Sequence, residues 1–401
     1  MSSARPLVDF DHHSAAFAAD PDGILRALRT ASPVAYTDHY GGFYVITGYD
    51  EVRQVLLDDR SFSVERDPDG RGGLLIPPST HARETLLPGE IDPPRHTAFR
   101  RLLTHRFARN AVQAYRPATQ GFVDECLDEI VALGDFDVVH HLGAPVPLAL
   151  TVHLLGLPGS AEQRARHKLA VEEVFGLGKT RGTQEGLAAV DGLSEQIRRT
   201  MDERRRAPRD DVISDLVSAD APRLADVEIR GFIMNLLAGG LPTTASTTAH
   251  ALLALHHDRS LRQRLIDDPD LVGPAVDEFV RTSSPSVSLA RTVREQVEVG
   301  GVPFTPGDRV LVLLPSANVD ARRYTSPETI DLERGGQHLA FGAGAHYCLG
   351  VHLARLELTL MLTAVLTRLP DYSIDEGLVQ RLPMRGMLNG YVSMPAHTNL
   401  P

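Results

Sequence analysis

The segment HLAFGAGAHYCLG, from His338 to Gly350, holds one of only two cysteines in the chain, together with two histidines and three glycines. It directly precedes VHLARLELTLMLTAVL, a pattern typical of a helix, so Cys348 stands at a predicted helix start. The positive end of the helix dipole and the free N–H groups there stabilise a thiolate. Gly342 and Gly344 allow the backbone to wrap closely around one sulfur. The segment therefore predicts a reactive or metal-binding thiolate.

Three interpretations of Cys348 remain open from the residues alone. A nucleophile needs a neighbouring base, and His346 is two residues away, but the glycines then have no purpose. A structural cysteine buried in a turn is the second possibility. An axial ligand of haem iron is the third, and it explains both the single cysteine and the glycines, because one thiolate can hold a haem.

FGAGAHYCLG resembles the haem-binding signature of the cytochrome P450 family, F-G-x-G-x-H-x-C-x-G, with every fixed position filled. The resemblance implies haem b as the cofactor and Cys348 as the ligand of its iron. It also implies that Phe341 packs near the sulfur and that His346 hydrogen-bonds a haem propionate. Gly342 and Gly350 belong to the same haem-binding loop, residues 338–350.

Other segments match the same family in the expected order along nearly the whole chain. EFVR supplies Glu278 and Arg281, which resemble the family's E-x-x-R pair on one helix face. Arg334, in IDLER, would complete a buried triad with them. Ile330 stands where the family usually has Phe, so this last segment is a looser match.

Two further segments imply contacts with the haem propionates. DPPRHTAFRR resembles the helix that runs over the haem edge in the family. Its His96 and Arg100 are four residues apart, so they share a helix face and would both reach a propionate. Arg291, in SLARTV, occupies the matching position for another propionate contact.

A long helix is predicted from about 227 to 257, and it carries AGGLPTT, which resembles the family's oxygen-binding stretch [AG]-G-x-[DE]-T-T. The glycines would let the helix pass close to the haem. Thr243 would supply the hydroxyl that hydrogen-bonds dioxygen and helps to deliver protons. The catalytic positions implied by this alignment are Gly239, Gly240, Pro242, Thr243 and Thr244.

Pro242 stands where the family has an acid, and this is a departure with two consequences. Proline lacks an N–H and clashes with the carbonyl of Ala238, so it predicts a kink or bulge that opens a polar groove. It also removes a carboxylate from proton delivery. Either water or another side chain replaces the acid, or the enzyme favours oxidative coupling, desaturation or rearrangement without oxygen insertion. A kink with no catalytic meaning is the remaining hypothesis.

By the same resemblance, the substrate pocket is built from the loop at 73–88, the turn at 174–180, the long helix and two segments near the haem. These residues are mostly apolar, which favours a medium-sized apolar ligand without choosing among terpenes, polyketides, macrolides and cyclic peptides. The predicted pocket residues are Leu75, Asn235, Leu236, Val287, Leu289, Met387 and Leu388.

The elements that must position these groups are predicted to be mainly helical, with small β-sheets, in one large domain of residues 1–401. Hairpins are expected at 34–47 and 297–304, because paired glycines there are flanked by β-branched and aromatic residues. Asp50 is expected to cap the helix that follows the first hairpin. The predicted strands and helices do not alternate along the chain, so a doubly wound sheet is not expected.

Composition excludes several classes of function. The net charge of −11 disfavours nucleic acid as a partner. No stretch is apolar enough for a membrane span. The start of the chain has no signal-peptide pattern, and two cysteines make no disulfide framework, so a cytoplasmic location is expected.

The resemblance implies a monooxygenase that activates dioxygen to hydroxylate or epoxidise a small apolar molecule of secondary metabolism. Because the chain has no nicotinamide-binding or flavin motif, electrons must come from outside, and the family implies a ferredoxin and its reductase. Basic residues could form the docking face: Arg100, Arg101, Arg106 and Arg355. A non-catalytic haem-binding protein is a further alternative.

Overall fold

The computed structural model describes residues 6–66, 72–78, 85–175, 183–220, 222–383 and 386–400. Helices dominate it, as the sequence predicts. They are α1 (Ala15–Ala19), α2 (Pro21–Ala31), α3 (Tyr49–Leu57), α4 (Arg95–Phe107), α5 (Arg116–Leu133), α6 (Pro145–Leu155), α7 (Ala161–Phe175), α8 (Gln184–Arg206), α9 (Val212–Val217), α10 (Asp226–His257), α11 (Arg259–Asp267), α12 (Val272–Ser283), α13 (Leu314–Asn318) and α14 (Val351–Arg368).

Short strands form small sheets beside the helices. The strands are β1 (Val34–Thr37), β2 (Phe43–Ile46), β3 (Phe62–Ser63), β4 (Asp135–Asp137), β5 (Ser288–Val293), β6 (Val297–Val299), β7 (Val302–Phe304), β8 (Arg309–Leu313), β9 (Ser373–Ile374), β10 (Gln380–Arg381), β11 (Tyr391–Ser393) and β12 (Pro395–His397). The largest sheet has the order β1-β2-β8-β5-β3, and the others are β4-β12-β9, β6-β7 and β10-β11.

Both hairpins lie where the paired glycines predict them. β1 and β2 pair antiparallel with Val34 opposite Ile46, and β6 and β7 pair with Val299 opposite Val302. The prediction that Asp50 caps α3 is wrong. The helix begins two residues earlier, at Tyr49 after Gly48, so Asp50 lies in its first turn, where a carboxylate interacts favourably with the helix dipole.

Helix α10 runs through the centre of the molecule and is helical throughout, including Pro242. The predicted bulge does not interrupt it. Leu237, Leu241 and Ala245 are buried on successive turns around the proline, and this packing supports the helix on both sides of it. What the proline does change is local, because the carbonyl of Ala238 loses the N–H that would normally bond to it.

The core brings α10 and α14 together with α5 and α12, through an apolar cluster that includes Leu252, Phe279 and Met361. Thr248 of α10 lies 3.9 Å from the sulfur of Met361 on α14. Because α14 directly follows the cysteine loop, this packing fixes the loop below the central helix. None of the described helices combines the length and apolar character that crossing a membrane requires.

Candidate active site

The cysteine loop is built around close backbone contacts. The Cys348 amide donates a hydrogen bond to the Phe341 carbonyl over 2.9 Å, which closes the loop. Gly342 and Gly344 have φ values of 72° and 69°, a region that side chains disfavour. A Cβ on Gly344 would also lie 2.4 Å from the carbonyl oxygen of Leu56, so a larger residue would push the loop away from α3.

The expectation that the helix start stabilises a Cys348 thiolate is wrong for the protein alone. Burial raises the pKa of the Cys348 thiol, and this outweighs the hydrogen bond from the Gly350 amide and the nearby charges of Arg100 and Arg355. A half-buried thiol whose pKa is raised in this way is a poor free nucleophile. Bonding to a cation would supply the missing positive charge, so the environment suits a metal ligand.

Four basic side chains converge at one side of the cavity that Cys348 faces: His96, Arg100, Arg291 and His346. The first two project from α4, one helical turn apart, and Arg291 projects from β5, where it is paired with Val310. The rings of His96 and His346 lie 4.3 Å apart between centroids. Elements distant in sequence therefore assemble one basic cluster.

Among the described residues, this basic cluster has no directly bonded carboxylate. No acidic side chain there pairs with Arg100 or Arg291, and Arg291 bonds only to the Ala290 carbonyl, although the charge of Asp92 acts on it from further away. Burial lowers the pKa of Arg291 to about 10. Burial together with Arg291, His96 and Arg100 lowers the pKa of His346 to about 3.

Two ring nitrogens of the cluster are also left without partners. His96 Nδ1 and His346 Nε2 are buried and form no hydrogen bond with any described residue. Buried polar atoms are normally satisfied, because an unmet hydrogen bond costs about 1–3 kcal/mol. The cluster therefore fits an anionic ligand that accepts several hydrogen bonds.

The cavity shared by Cys348 and the basic cluster has a volume of about 380 Å³ and is lined mainly by apolar groups. This lies within the roughly 300–1,000 Å³ of small-molecule sites. Leu74, Leu154, Leu236 and Leu289 supply apolar wall, and Asn235 is held by its amide, which donates to the Leu87 carbonyl over 3.0 Å.

Helix α10 presents its predicted catalytic positions to this cavity. Gly239, Gly240, Thr243 and Thr244 line it, whereas Pro242 does not. The Thr243 hydroxyl donates to the Gly239 carbonyl over 2.7 Å, which fixes the orientation of its oxygen. Among the predicted cofactor-binding residues, Phe341, Gly342 and Gly350 line the same cavity.

Some of the predicted pocket residues lie elsewhere. Val287 is buried in an apolar cluster with Phe43 and Leu313, and the exposed Met387 faces away from the cavity. Leu75 is outside the lining, although its carbonyl accepts from Arg309 over 2.9 Å. Leu388 borders a second cavity behind α10. In an irregular segment, the sequence does not show which side chains point towards a cavity. This is why these residues were assigned to the pocket although they do not line it. Most of the turn predicted at 174–180 lies outside the described residues.

The predicted triad is assembled and fully paired. Arg281 donates two hydrogen bonds to Glu278 over 2.7 and 2.8 Å, and Arg334 donates to the same carboxylate over 3.1 Å. Arg281 also donates to three backbone carbonyls, those of Asn318, Pro327 and Thr329. The triad thus ties α12 to the segment that leads into the cysteine loop.

The docking face predicted from four arginines holds only in part. Arg106 is ion-paired with Asp210 and Asp215, and only 11% of its side chain is exposed. Arg100 is turned into the cavity, and Arg355 is bonded to Asp277 over 2.7 Å. Arg101 remains exposed.

Sequence reasoning missed Glu357, which lines the cavity from α14. It is 4% exposed, and burial raises the pKa of its carboxyl to about 8. One signal was available, because this glutamate interrupts an otherwise apolar helix face, LELTLML.

Haem b fits the residues present. Its two propionates match an anion-free cluster of two arginines and two histidines with unmet hydrogen bonds, and its iron matches a buried thiol that needs a cation. The apolar cavity walls suit the rest of the macrocycle and a substrate beside it.

Comparisons with known proteins agree with this site. The family model for Cytochrome P450 matches residues 182–370. Nocardicin C N-oxygenase of Nocardia uniformis subsp. tsuyamanensis is 37% identical, over 82% of this chain and 82% of that protein. The cytochrome P450 monooxygenase PikC of Streptomyces venezuelae is 32% identical, over 93% of this chain and 90% of that protein.

A solved structure gives the same result for the fold. The cytochrome P450 of Mycobacterium marinum in complex with pseudoionone matches with a TM-score of 0.87 and 28% identity, covering 99% of this chain and 100% of that one. With relatives above 30% identity along most of its length, this chain belongs to the cytochrome P450 family of haem b oxidoreductases.

Proposed function

We propose that this enzyme is a haem-thiolate monooxygenase that oxidises a mostly apolar small molecule of secondary metabolism, with electrons from a ferredoxin and its reductase. The observation that carries the proposal is the anion-free basic cluster that shares a cavity with Cys348. Two of the relatives, named for nocardicin C N-oxygenation and as a monooxygenase, support the reaction class. Residues 1–401 would act as one domain in the cytoplasm.

Cys348 would hold the haem iron, and the basic cluster would hold its propionates. Arg100 and Arg291 would donate hydrogen bonds to carboxylate oxygens, and His96 and His346 would use the ring nitrogens that lack partners. Phe341, Gly342 and Gly350 would shape the loop around the sulfur. When bound, the haem uses dioxygen, two electrons and two protons to add one oxygen atom to a substrate and release the other as water.

The residues of α10 would place dioxygen and protons on the substrate side. Gly239 and Gly240 allow close approach, and Thr243 and Thr244 offer hydroxyl groups to the cavity. Apolar walls from Leu236 and Leu289 would hold the substrate and exclude water, while Asn235 would offer a polar contact. The Glu278, Arg281 and Arg334 triad would have a structural role.

The first test is optical titration of purified ferric protein with terpenoids, polyketides, macrolides and cyclic dipeptides. A Soret shift to the high-spin position is expected with one class, because a substrate in the cavity displaces water from the iron. A Cys348→Ser variant is the matched control and should lose the thiolate signature of the ferrous carbon monoxide complex. A wild-type protein that shows no Soret band after haem is supplied would overturn the proposal.

A second candidate is oxidative coupling, desaturation or rearrangement without oxygen insertion, and Pro242 is the feature that favours it. Product mass separates the two reactions, because one added oxygen atom indicates hydroxylation or epoxidation and the loss of two hydrogens indicates coupling or desaturation. Thr243→Ala should lower coupled product formation while peroxide-driven turnover persists. Unchanged coupling in that variant would remove Thr243 from proton delivery.

A further inference from the structure

Helix α10 separates two cavities. The cavity already described lies against Gly239, Gly240, Thr243, Thr244 and Thr247. A second cavity of about 260 Å³ lies against Leu241, Pro242, Ala245 and Ser246. Because successive residues of an α-helix are turned by about 100°, these two sets occupy opposite faces of the same two turns.

The second cavity contains a titratable cluster that the proposed function does not use. Glu172 and Lys168 project into it from α7, with 3.8 Å between carboxylate and ammonium, and His140 lies at its edge. Lys168 Nζ is 3.1 Å from His140 Nδ1. His140 is exposed, so the three groups form a chain of contacts from solvent to the wall of the cavity.

Glu172 is suited to carry a proton in this position. Burial raises the pKa of its carboxyl, and the nearby Lys168 only partly opposes this. About a quarter of the Glu172 side chain is exposed, 26%, and the second cavity lies on that side. A carboxyl with a raised pKa keeps a larger protonated fraction near neutral pH, as a general acid requires.

Pro242 provides the place where such a proton could reach α10. The proline removes the N–H that would bond to the Ala238 carbonyl, so this carbonyl is free to accept from water inside the helix groove. One turn on, the Thr243 hydroxyl donates to the neighbouring Gly239 carbonyl. The same residue that lacks a carboxylate thus frees a water-binding carbonyl beside Thr243.

We propose that Glu172 of α7 supplies, through water in the second cavity, the protons that a carboxylate at position 242 would otherwise supply. The inference rests on the proposed monooxygenase function. The O–H bond of the Glu172 carboxyl breaks as a cavity water takes the proton and passes it towards Thr243. The carboxylate then regains a proton from solvent by way of the Lys168 ammonium and His140, so each passage moves one proton and no electrons, and a turnover that uses two protons needs two passages.

Glu357 is the rival acid, and its surroundings argue against it. It lines the first cavity, but burial alone accounts for its raised pKa, and no charged group among the described residues lies close enough to alter it. A proton given up by Glu357 would therefore have no titratable neighbour to replace it. Glu172 has Lys168 and His140 for this purpose.

The test compares Glu172→Gln with Glu162→Gln, a matched control on the same helix whose ion pair with Arg166 is exposed. With substrate and electron donors, Glu172→Gln should lower product formation towards the roughly 100-fold loss typical of removing a general acid. Hydrogen peroxide release and the solvent deuterium isotope effect should rise, and one ionisation should disappear from the pH profile. Glu162→Gln should behave as wild type.

A readout without turnover is infrared difference spectroscopy of the resting protein. A carboxyl band that titrates at a higher pH than an ordinary glutamate should be present in wild type and absent from Glu172→Gln. Restoring the acid with Pro242→Asp should recover coupling in the Glu172→Gln background.

Three outcomes would overturn the inference. They are wild-type coupling in Glu172→Gln, a Glu172 carboxyl that titrates no higher than an ordinary glutamate, and a folded double variant in which Pro242→Asp restores nothing. A wild-type protein that oxidises no substrate at all would instead remove the proposed function, while the infrared band would still report the protonation of Glu172.

Discussion

Two groups of buried and half-buried arginines in this molecule differ in how their charge is balanced. Arg281 and Arg334 share the carboxylate of Glu278 and also donate to backbone carbonyls, so the structure itself satisfies them. Arg100 and Arg291 face a cavity with two histidines, and no acidic side chain in the described ranges pairs with them. The first group stabilises the fold, whereas the second group is suited to bind an anionic ligand.

The difference teaches how to separate structural from ligand-binding charges. Desolvating a charge is costly, so a buried arginine persists only when a partner compensates it. Where the partner is Glu278, it belongs to the chain and the balance is independent of any cofactor. Where the chain offers no bonded partner, the compensation must come from a ligand, and we propose the haem propionates for this role. Variants of the two groups should therefore behave in opposite ways.

The largest effect is expected from Glu278→Gln. It leaves the buried Arg281 without its anion and Arg334 with only the more distant carboxylate of Asp331, which should lower the free energy of unfolding by about 3–5 kcal/mol, with or without haem. Urea denaturation of both forms measures this. Glu162→Gln, in an exposed pair, should change stability by no more than about 1 kcal/mol. A loss below 1 kcal/mol in Glu278→Gln would contradict a structural triad.

The next largest effect is expected from Arg291→Met, which should change the affinity for haem. Removing an uncompensated buried charge should leave the haem-free protein as stable as wild type or more so. Haem binding should weaken by about 2–5 kcal/mol, because the propionate loses its buried partner. Transfer of haem to an excess of a scavenging globin measures the loss. If haem-free Arg291→Met were destabilised as much as Glu278→Gln, the two groups of arginines would not differ in their role.

A pH dependence follows from the histidines of the basic cluster. The pKa of His346 is lowered to about 3, below its ordinary value of 6.5, so the unfolded chain binds more protons between these values. Stability of the haem-free protein should therefore be full above pH 6.5 and fall as the pH drops towards 3. Thermal unfolding across this range measures the slope. His346→Gln should flatten it, and a slope unaffected by that change would rule out the assignment.

The smallest effect distinguishes two surface arginines. Arg106→Ala breaks the pairs with Asp210 and Asp215 and should cost about 1–3 kcal/mol of stability without changing the KM for a ferredoxin. Arg101→Ala should change stability by less than about 0.5 kcal/mol but raise that KM, because Arg101 is exposed. Steady-state assays with varied ferredoxin measure both. If the KM for ferredoxin rose in Arg106→Ala and not in Arg101→Ala, the predicted docking role of Arg101 would be wrong.

Sequence patterns predicted the parts of this site that depend on local spacing. The cysteine loop, the E-x-x-R pair and the α4 residues His96 and Arg100 are each set by neighbours a few positions apart. Both hairpins and the central helix also follow from local periodicity and paired glycines. Their mutual assembly followed from the resemblance to a known family.

Other features depend on contacts that sequence spacing does not encode. The raised pKa of Cys348 comes from burial, which outweighs the helix start, and the pairing of Arg106 comes from distant aspartates. Val287 and Met387 stand in irregular segments, where the direction of a side chain has no period. Glu172 and Pro242 line the same cavity only because α7 packs across the second cavity.

The order of strands in the largest sheet has a consequence for synthesis of the protein on the ribosome. β2 pairs with β8, with Tyr44 opposite Val310, and β3 pairs with β5, with Phe62 opposite Val293. β2 and β3 thus lack these partners until most of the chain has left the ribosome, and such non-local pairing is slow. Arg291 lies on β5, so the nascent chain cannot complete the cluster for the propionates before this sheet closes. Haem should accordingly be captured after translation, by an almost fully folded chain.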